Sequence, residues 1–110
     1  MLTINKTINE GTAVFTLEGR LDTNTSPELE KELNGALEEI QDLTMDFAAL
    51  DYISSAGLRV LLSTQKAMAK KGEMKVIDVN DTIMDIFEMT GFTEILTIVP
   101  AEKKTAAEAE

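Results

Sequence analysis

Two adjacent serines, Ser54 and Ser55, stand immediately before a run of residues with apolar side chains at helical spacing. At the head of a helix the first backbone N–H groups have no partner within the helix, and the dipole presents its positive end. One serine can act as the N-cap there, a role worth ~1 kcal/mol. The other keeps a hydroxyl able to accept a phosphoryl group. A phosphate at this place gains from the dipole and adds roughly two negative charges at neutral pH. Charge of that size can abolish an interface that must desolvate it. On spacing alone, either serine can take either role.

Other chemistry is poorly supplied. The chain has no cysteine and no histidine. This excludes disulfides, thiolate metal sites and every catalytic scheme built on His or Cys. A carboxylate-only site from Asp22, Asp46 and Asp51 is conceivable, but nothing in the sequence fixes its geometry. No phosphate-binding loop of the form G-x-x-x-x-G-K-[ST] is present. The expectation is a binding protein with no catalytic residue, cofactor or metal.

The helix that follows the serines is expected to run over 54–71. On a wheel of about 100° per residue, Leu58, Leu61, Leu62 and Ala69 form a core stripe, with Met68 at its edge and Gln65 inside it. Ala56, Val60, Ser63 and Ala67 lie opposite, flanked by Arg59, Lys66 and Lys70. Small side chains let another backbone come close and lose little entropy on burial. We read this side as a docking face for a partner.

The remaining elements must present that helix. Residues 2–8 and 12–18 alternate apolar and polar types, so they predict two strands in a hairpin around Asn9, Glu10 and Gly11. A loop is expected over 19–24. A first helix then starts at Thr25 or Ser26 with Pro27 in its first turn, and buries Leu29, Leu33, Ala36, Leu37 and Ile40. Its acidic residues Glu28, Glu30 and Glu32 read as a solvated face. A short strand over 43–47 precedes the serine-led helix, which Gly72 stops. A strand follows over 74–79, then a third helix capped by Asn80 or Asp81 and stopped by Gly91, and a last short strand over 95–99. Ile83, Ile86, Phe87 and Thr90 make the apolar side of the third helix; Met84 and Met89 lie off it, as peripheral core or an adaptable contact patch. The order β-β-α-β-α-β-α-β predicts an α/β fold: a small mixed sheet with helices mostly on one face. One domain is expected over 1–100, with a flexible, acidic, alanine-rich tail over 101–110.

The chain has 110 residues, 20 acidic and 10 basic, for a formal charge of −10. A surface this negative repels nucleic acid and anionic lipid. No segment approaches the ~20 apolar residues of a membrane helix, and the first ten residues lack the basic and apolar parts of a secretory leader. A cytoplasmic monomer is expected, bound neither to nucleic acid nor to membrane.

The run Asp51-Tyr52-Ile53-Ser54-Ser55-Ala56-Gly57-Leu58-Arg59-Val60-Leu61-Leu62 resembles the signature of the STAS domain, and more narrowly that of the bacterial anti-sigma factor antagonists. Gly19-Arg20-Leu21-Asp22, Lys71-Gly72-Glu73 and Phe87-Glu88-Met89-Thr90-Gly91-Phe92 extend the resemblance from the hairpin to about Val99. It implies a partner switch. The unmodified antagonist binds an anti-sigma factor that is also a serine kinase, and so frees a sigma factor for transcription. Phosphorylation of the antagonist ends the complex, and a phosphatase resets it. By position the phosphoacceptor is Ser55, two residues before Gly57, with Ser54 second. The family often has an aspartate where this chain has Ser54, and a second hydroxyl where it has Ala56. The expected partner-binding set joins Asp22, which matches an acidic position of the family, and the signature residues Ser54 and Gly57 to the face read from the wheel: Ala56, Arg59, Val60, Ser63 and Ala67. The alternative on the same fold is an unphosphorylated STAS subunit of a signalling scaffold or lipid-transport complex.

Overall fold

The computed structural model describes residues 2–100, and the tail expected over 101–110 lies outside them. Strands β1 (Leu2–Asn9) and β2 (Thr12–Leu21) form the expected antiparallel hairpin, with Ile8 opposite Ala13 and Ile4 opposite Leu17. Both turn residues have positive φ, Glu10 at 52° and Gly11 at 84°. Such a two-residue turn matches the twist of the strands it joins. Only glycine takes this conformation without strain, so Gly11 carries the easier half of the turn.

Beyond the hairpin, strands and helices alternate: α1 (Ser26–Ala36), β3 (Asp42–Ile53), α2 (Ser55–Met68), β4 (Glu73–Val79), α3 (Asp81–Thr90) and β5 (Thr97–Pro100). Short 3-10 turns follow α1 and α3. The five strands lie in sequence order, β2 to β5 all parallel. Crossovers between parallel strands are right-handed, so three successive steps in one direction put α1, α2 and α3 on one face. Burial follows that plan. Ala13, Phe15, Leu17, Leu43, Met45, Met74 and Val76 point into the core, whereas Val14, Glu18 and Lys75 are exposed. Phe87 of α3 packs on Phe47 of β3 and stacks on Phe92, with ring centroids 6.4 and 6.2 Å apart.

The structure revises several expected boundaries. β2 continues through Gly19–Leu21 in place of a loop, because register shifts between Thr16 and Glu18 and between Gly19 and Arg20 let it stay beside β3. Those irregularities break the alternation that marks a strand. β3 runs to Ile53 for the same reason, with Ala48 and Ala49 both exposed. α2 ends at Met68; Ala69–Lys71 form a turn closed by the Gly72 N–H donating to the Met68 carbonyl at 2.8 Å. α3 is capped by Asn80, whose side chain accepts from the Ile83 N–H, and it stops at left-handed Gly91.

Candidate functional site

Because β2, β3 and β4 are parallel, their C-terminal ends open on one edge of the sheet, where ligand sites of α/β folds form. Backbone and side-chain bonds bind the loops there together. The Ser54 N–H donates to the Leu21 carbonyl at 2.9 Å, and the Asn80 side-chain amide donates to the Leu50 carbonyl at 2.9 Å. In the loop after β2, the Asp22 carboxylate accepts from the N–H groups of Asn24 and Thr25 at 3.0 and 3.1 Å. The Thr25 hydroxyl bonds the Arg20 carbonyl at 2.8 Å, and the Ser26 hydroxyl bonds the Asp22 carbonyl at 2.6 Å. Asp22 therefore orders its own loop. Arg20 lies 3.8 Å from the Asp22 carboxylate and 4.4 Å from the centre of the Tyr52 ring.

The two serines divide the work. Ser54 is the N-cap of α2 with extended backbone, and its hydroxyl accepts from the Gly57 N–H at 3.4 Å. Ser55 is the first helical residue and is exposed. Among the described residues no hydrogen bond holds its hydroxyl. Gly57 is buried, and a Cβ there would stand 2.8 Å from Leu21 and 2.9 Å from Ile53. Its missing side chain lets the first turn of α2 press against the ends of β2 and β3, so its place here is in the packing below the surface.

Beside α2 lies α1, and a groove of about 450 Å3 opens between them. Thr23, Ser26, Pro27 and Glu30 form one wall; Ala56, Arg59, Val60 and Ser63 form the other. This revises the expected docking face. Val60 is only 8% exposed, because α1 covers it, and with Ala56 it lines the groove rather than a free surface. Thr64 is buried too and bonds its hydroxyl to the Val60 carbonyl at 2.8 Å, while Ala69, placed in the core stripe, is exposed. The helix is therefore covered on two sides. Ser63 and Arg59 stay exposed and Ala67 half-buried.

The α1 wall was not singled out from the sequence. Glu30 read as part of an acidic solvated face, Ser26 and Pro27 as the start of a helix and Thr23 as loop, and nothing in spacing tells which two helices lie side by side. Asp22 sits in the loop after β2, whereas Asp46 accepts from the Ala48 N–H within β3, and among the described residues no three acidic side chains gather as metal ligands would. Met89 is 84% exposed on α3 and takes no part in this groove.

The Thr25 N–H holds the Asp22 carboxyl below the ordinary aspartate range; partial burial opposes this, and the Thr25 hydroxyl and Asn24 N–H add to it. A carboxylate lowered by folding adds stability above its unfolded pKa, near 4, and loses it as pH falls through the folded value. Asp22→Asn is thus expected to be less stable than the parent at pH 7, with the gap closing below about pH 4. Urea midpoints at pH 7, 5 and 3 measure this; a gap unchanged at pH 3 would assign the effect to something other than the charge.

Comparison with known proteins gives a consistent result. The model of the STAS domain family matches residues 3–105. BtrV of Bordetella bronchiseptica, named for an anti-sigma factor antagonist, is 31% identical over 89% of this chain and 86% of its own length. The anti-sigma F factor antagonist of Paenibacillus polymyxa is 29% identical over 93% and 90%. In fold, an anti-sigma factor antagonist from Mycobacterium paratuberculosis superposes with a TM-score of 0.84 at 22% identity, covering 99% of this chain and 93% of that one. SpoIIAA, solved in unphosphorylated and phosphorylated forms, superposes with a TM-score of 0.71 in each, at 16% and 17% identity, over 99% of this chain and 96% and 98% of its own. Among the described residues no helix is long and apolar enough to cross a membrane.

Proposed function

This chain belongs to the STAS domain family, among its anti-sigma factor antagonists, and on that premise we propose that it binds an anti-sigma factor with serine kinase activity and that phosphorylation of Ser55 ends the complex. The chain is a regulatory protein and not an enzyme; its part in the cycle is that of ligand and substrate. Such an antagonist works in the cytoplasm, where a released sigma factor meets polymerase, and a phosphatase returns it to the binding form.

The observation that carries the choice of serine is the division of labour at the head of α2. The Ser54 hydroxyl is engaged with the Gly57 N–H, whereas the exposed Ser55 hydroxyl has no such bond among the described residues. A kinase needs a hydroxyl that can enter its active site without unravelling the helix. The Ser55 hydroxyl meets that need and Ser54 does not. The Asp22 loop, Ser54 and the exposed parts of Ala56, Arg59, Ser63 and Ala67 surround it as the docking area, with Val60 and Gly57 as the packed support beneath. The existence of SpoIIAA in two phosphorylation states agrees with this reading.

The test is incubation with the anti-sigma factor kinase of the source organism and ATP, followed by mass spectrometry of the peptide spanning both serines. One phosphate on Ser55 is expected. Ser55→Ala should abolish it. Ser54→Ala should leave it in place while lowering stability by ~1 kcal/mol through the lost cap. Phosphate found on Ser54 in the parent chain would refute the assignment.

A further inference from the structure

We propose that Arg59 is the positioning residue of this switch: its guanidinium takes up the phosphate carried by Ser55, one helical turn before it, and is thereby drawn from the groove between α1 and α2. This rests on the reading that Ser55 is the modified residue.

Three observations lead to it. Ser55 and Arg59 are four residues apart in α2 and both are exposed. Side chains at this spacing are neighbours on the helix surface, about 5–6 Å apart at Cβ, and an anion placed before a cation is the favourable order. Second, Arg59 is uncommitted. The ion pairs among the described residues are Lys6 with Glu32 and Arg20 with Asp22, and Arg59 is in neither. The helix offers it no competing partner, because Ser55–Met68 contains no acidic residue at all. That is unusual in a chain with twice as many acidic as basic residues. Third, Arg59 stands on the α2 wall of the groove, and Glu30 stands on the α1 wall.

The chemistry suits the pair. A guanidinium presents a planar fork of donors that matches phosphate oxygens two at a time. Arg20 is less suited, being held near Asp22 and over the Tyr52 ring. Lys66 lies three turns along the helix from Ser55 and is out of reach. The consequence is a switch with two effects. Phosphorylation adds negative charge at the tip of α2, and it removes positive charge from the groove wall a partner would meet.

The experiment uses the full chain with phosphoserine installed at position 55 during translation, so no kinase is involved. Phosphorus NMR follows the second ionisation of the phosphate, near pH 6 for a free phosphoserine. In the parent the midpoint is expected about 0.5 unit lower than in Arg59→Gln, with Arg59→Lys between them. The helix dipole and Ser54 are common to all three chains, so the difference reports Arg59 alone. The gap should shrink in 1 M salt, which screens an exposed pair. The Arg59 side-chain Nε–H resonance should shift on phosphorylation. Midpoints within 0.1 unit in parent and Arg59→Gln would overturn the proposal. Failure of the kinase to modify Ser55 would instead overturn the reading beneath it, and the two results are obtained separately.

Discussion

Ser55→Asp is expected to weaken binding to the anti-sigma factor by about 100-fold while leaving the fold slightly more stable than the parent. The two effects have opposite signs for a physical reason. At the first position of α2 a carboxylate faces the positive end of the helix dipole, which favours it by about 0.3–1 kcal/mol. The same charge, pressed into an interface where the bound protein offers it no counter-charge, must shed its water. An unpaired charge in a desolvated contact costs on the order of 2–5 kcal/mol, and a hundredfold loss corresponds to about 2.7 kcal/mol. Ser55→Ala removes only an exposed hydroxyl, so binding should stay within about threefold. Titration calorimetry with the purified partner and urea unfolding of the free chains give both numbers. A Ser55→Asp chain that binds like the parent would remove Ser55 from the interface. A chain that loses both binding and stability would have lost binding through its fold.

The largest effect on stability is expected at a residue far from the switch. Gly72 follows the turn after α2, where the chain passes the backbone entering β3. A Cβ on Gly72 would lie 1.6 Å from the Gln41 carbonyl oxygen and 2.7 Å from its carbon. No rotamer relieves that contact, because both atoms are main chain. The main chain of Gln41 is itself fixed: its N–H donates to the Gly11 carbonyl at 2.7 Å, and its carbonyl accepts from the Glu73 N–H at 3.2 Å. Three segments are thus clasped where β3 begins. Gly72→Ala must open the clasp, and a loss of about 3 kcal/mol is expected, at the upper end of ordinary single substitutions. For a domain of this size that lowers the melting temperature by roughly 12–20 °C. Thermal unfolding by circular dichroism measures it, and a drop under 3 °C would show that the junction yields. Gly57→Ala is the milder case. Its contacts are with the side chains of Leu21 and Ile53, and the better helix propensity of alanine offsets part of the strain.

Much of this arrangement could be read from residue types, and what could not has definite causes. α3 was legible at both ends because Asn80 and Gly91 perform the capping their types predict. The hairpin was legible because residues 2–8 and 12–18 alternate apolar and polar types around the Glu10–Gly11 turn, although only β2 turns that alternation into a buried side, and Ile8 of β1 stays exposed. The far ends of β2 and β3 were not, because the paired strands slip against each other between Gly19 and Arg20, and a slip erases the period by which strands are recognised. In α2 the wheel found Leu58, Leu61 and Met68 but set Val60 on the outside. A wheel supposes one buried side, and α2 has two, since α1 lies along it. The same limit hid the Glu30 wall of the groove. The docking residues, read from the wheel and from the STAS resemblance together, were therefore found as a list, while their division into exposed contacts and buried supports required the fold.

The order of the strands has a further consequence, for how the molecule is made. Every strand of the sheet lies beside the one synthesised just before it. No early segment has to wait, half-paired, for a partner that emerges later. Each crossover closes a loop of modest length, so the entropy of closure is met in small instalments. As the chain leaves the ribosome, the hairpin can form alone, α1 and β3 can then dock on it, and each later unit finds a finished edge to join. The serine-led helix arrives third in that series, onto a sheet whose β2 and β3 ends already exist to receive it.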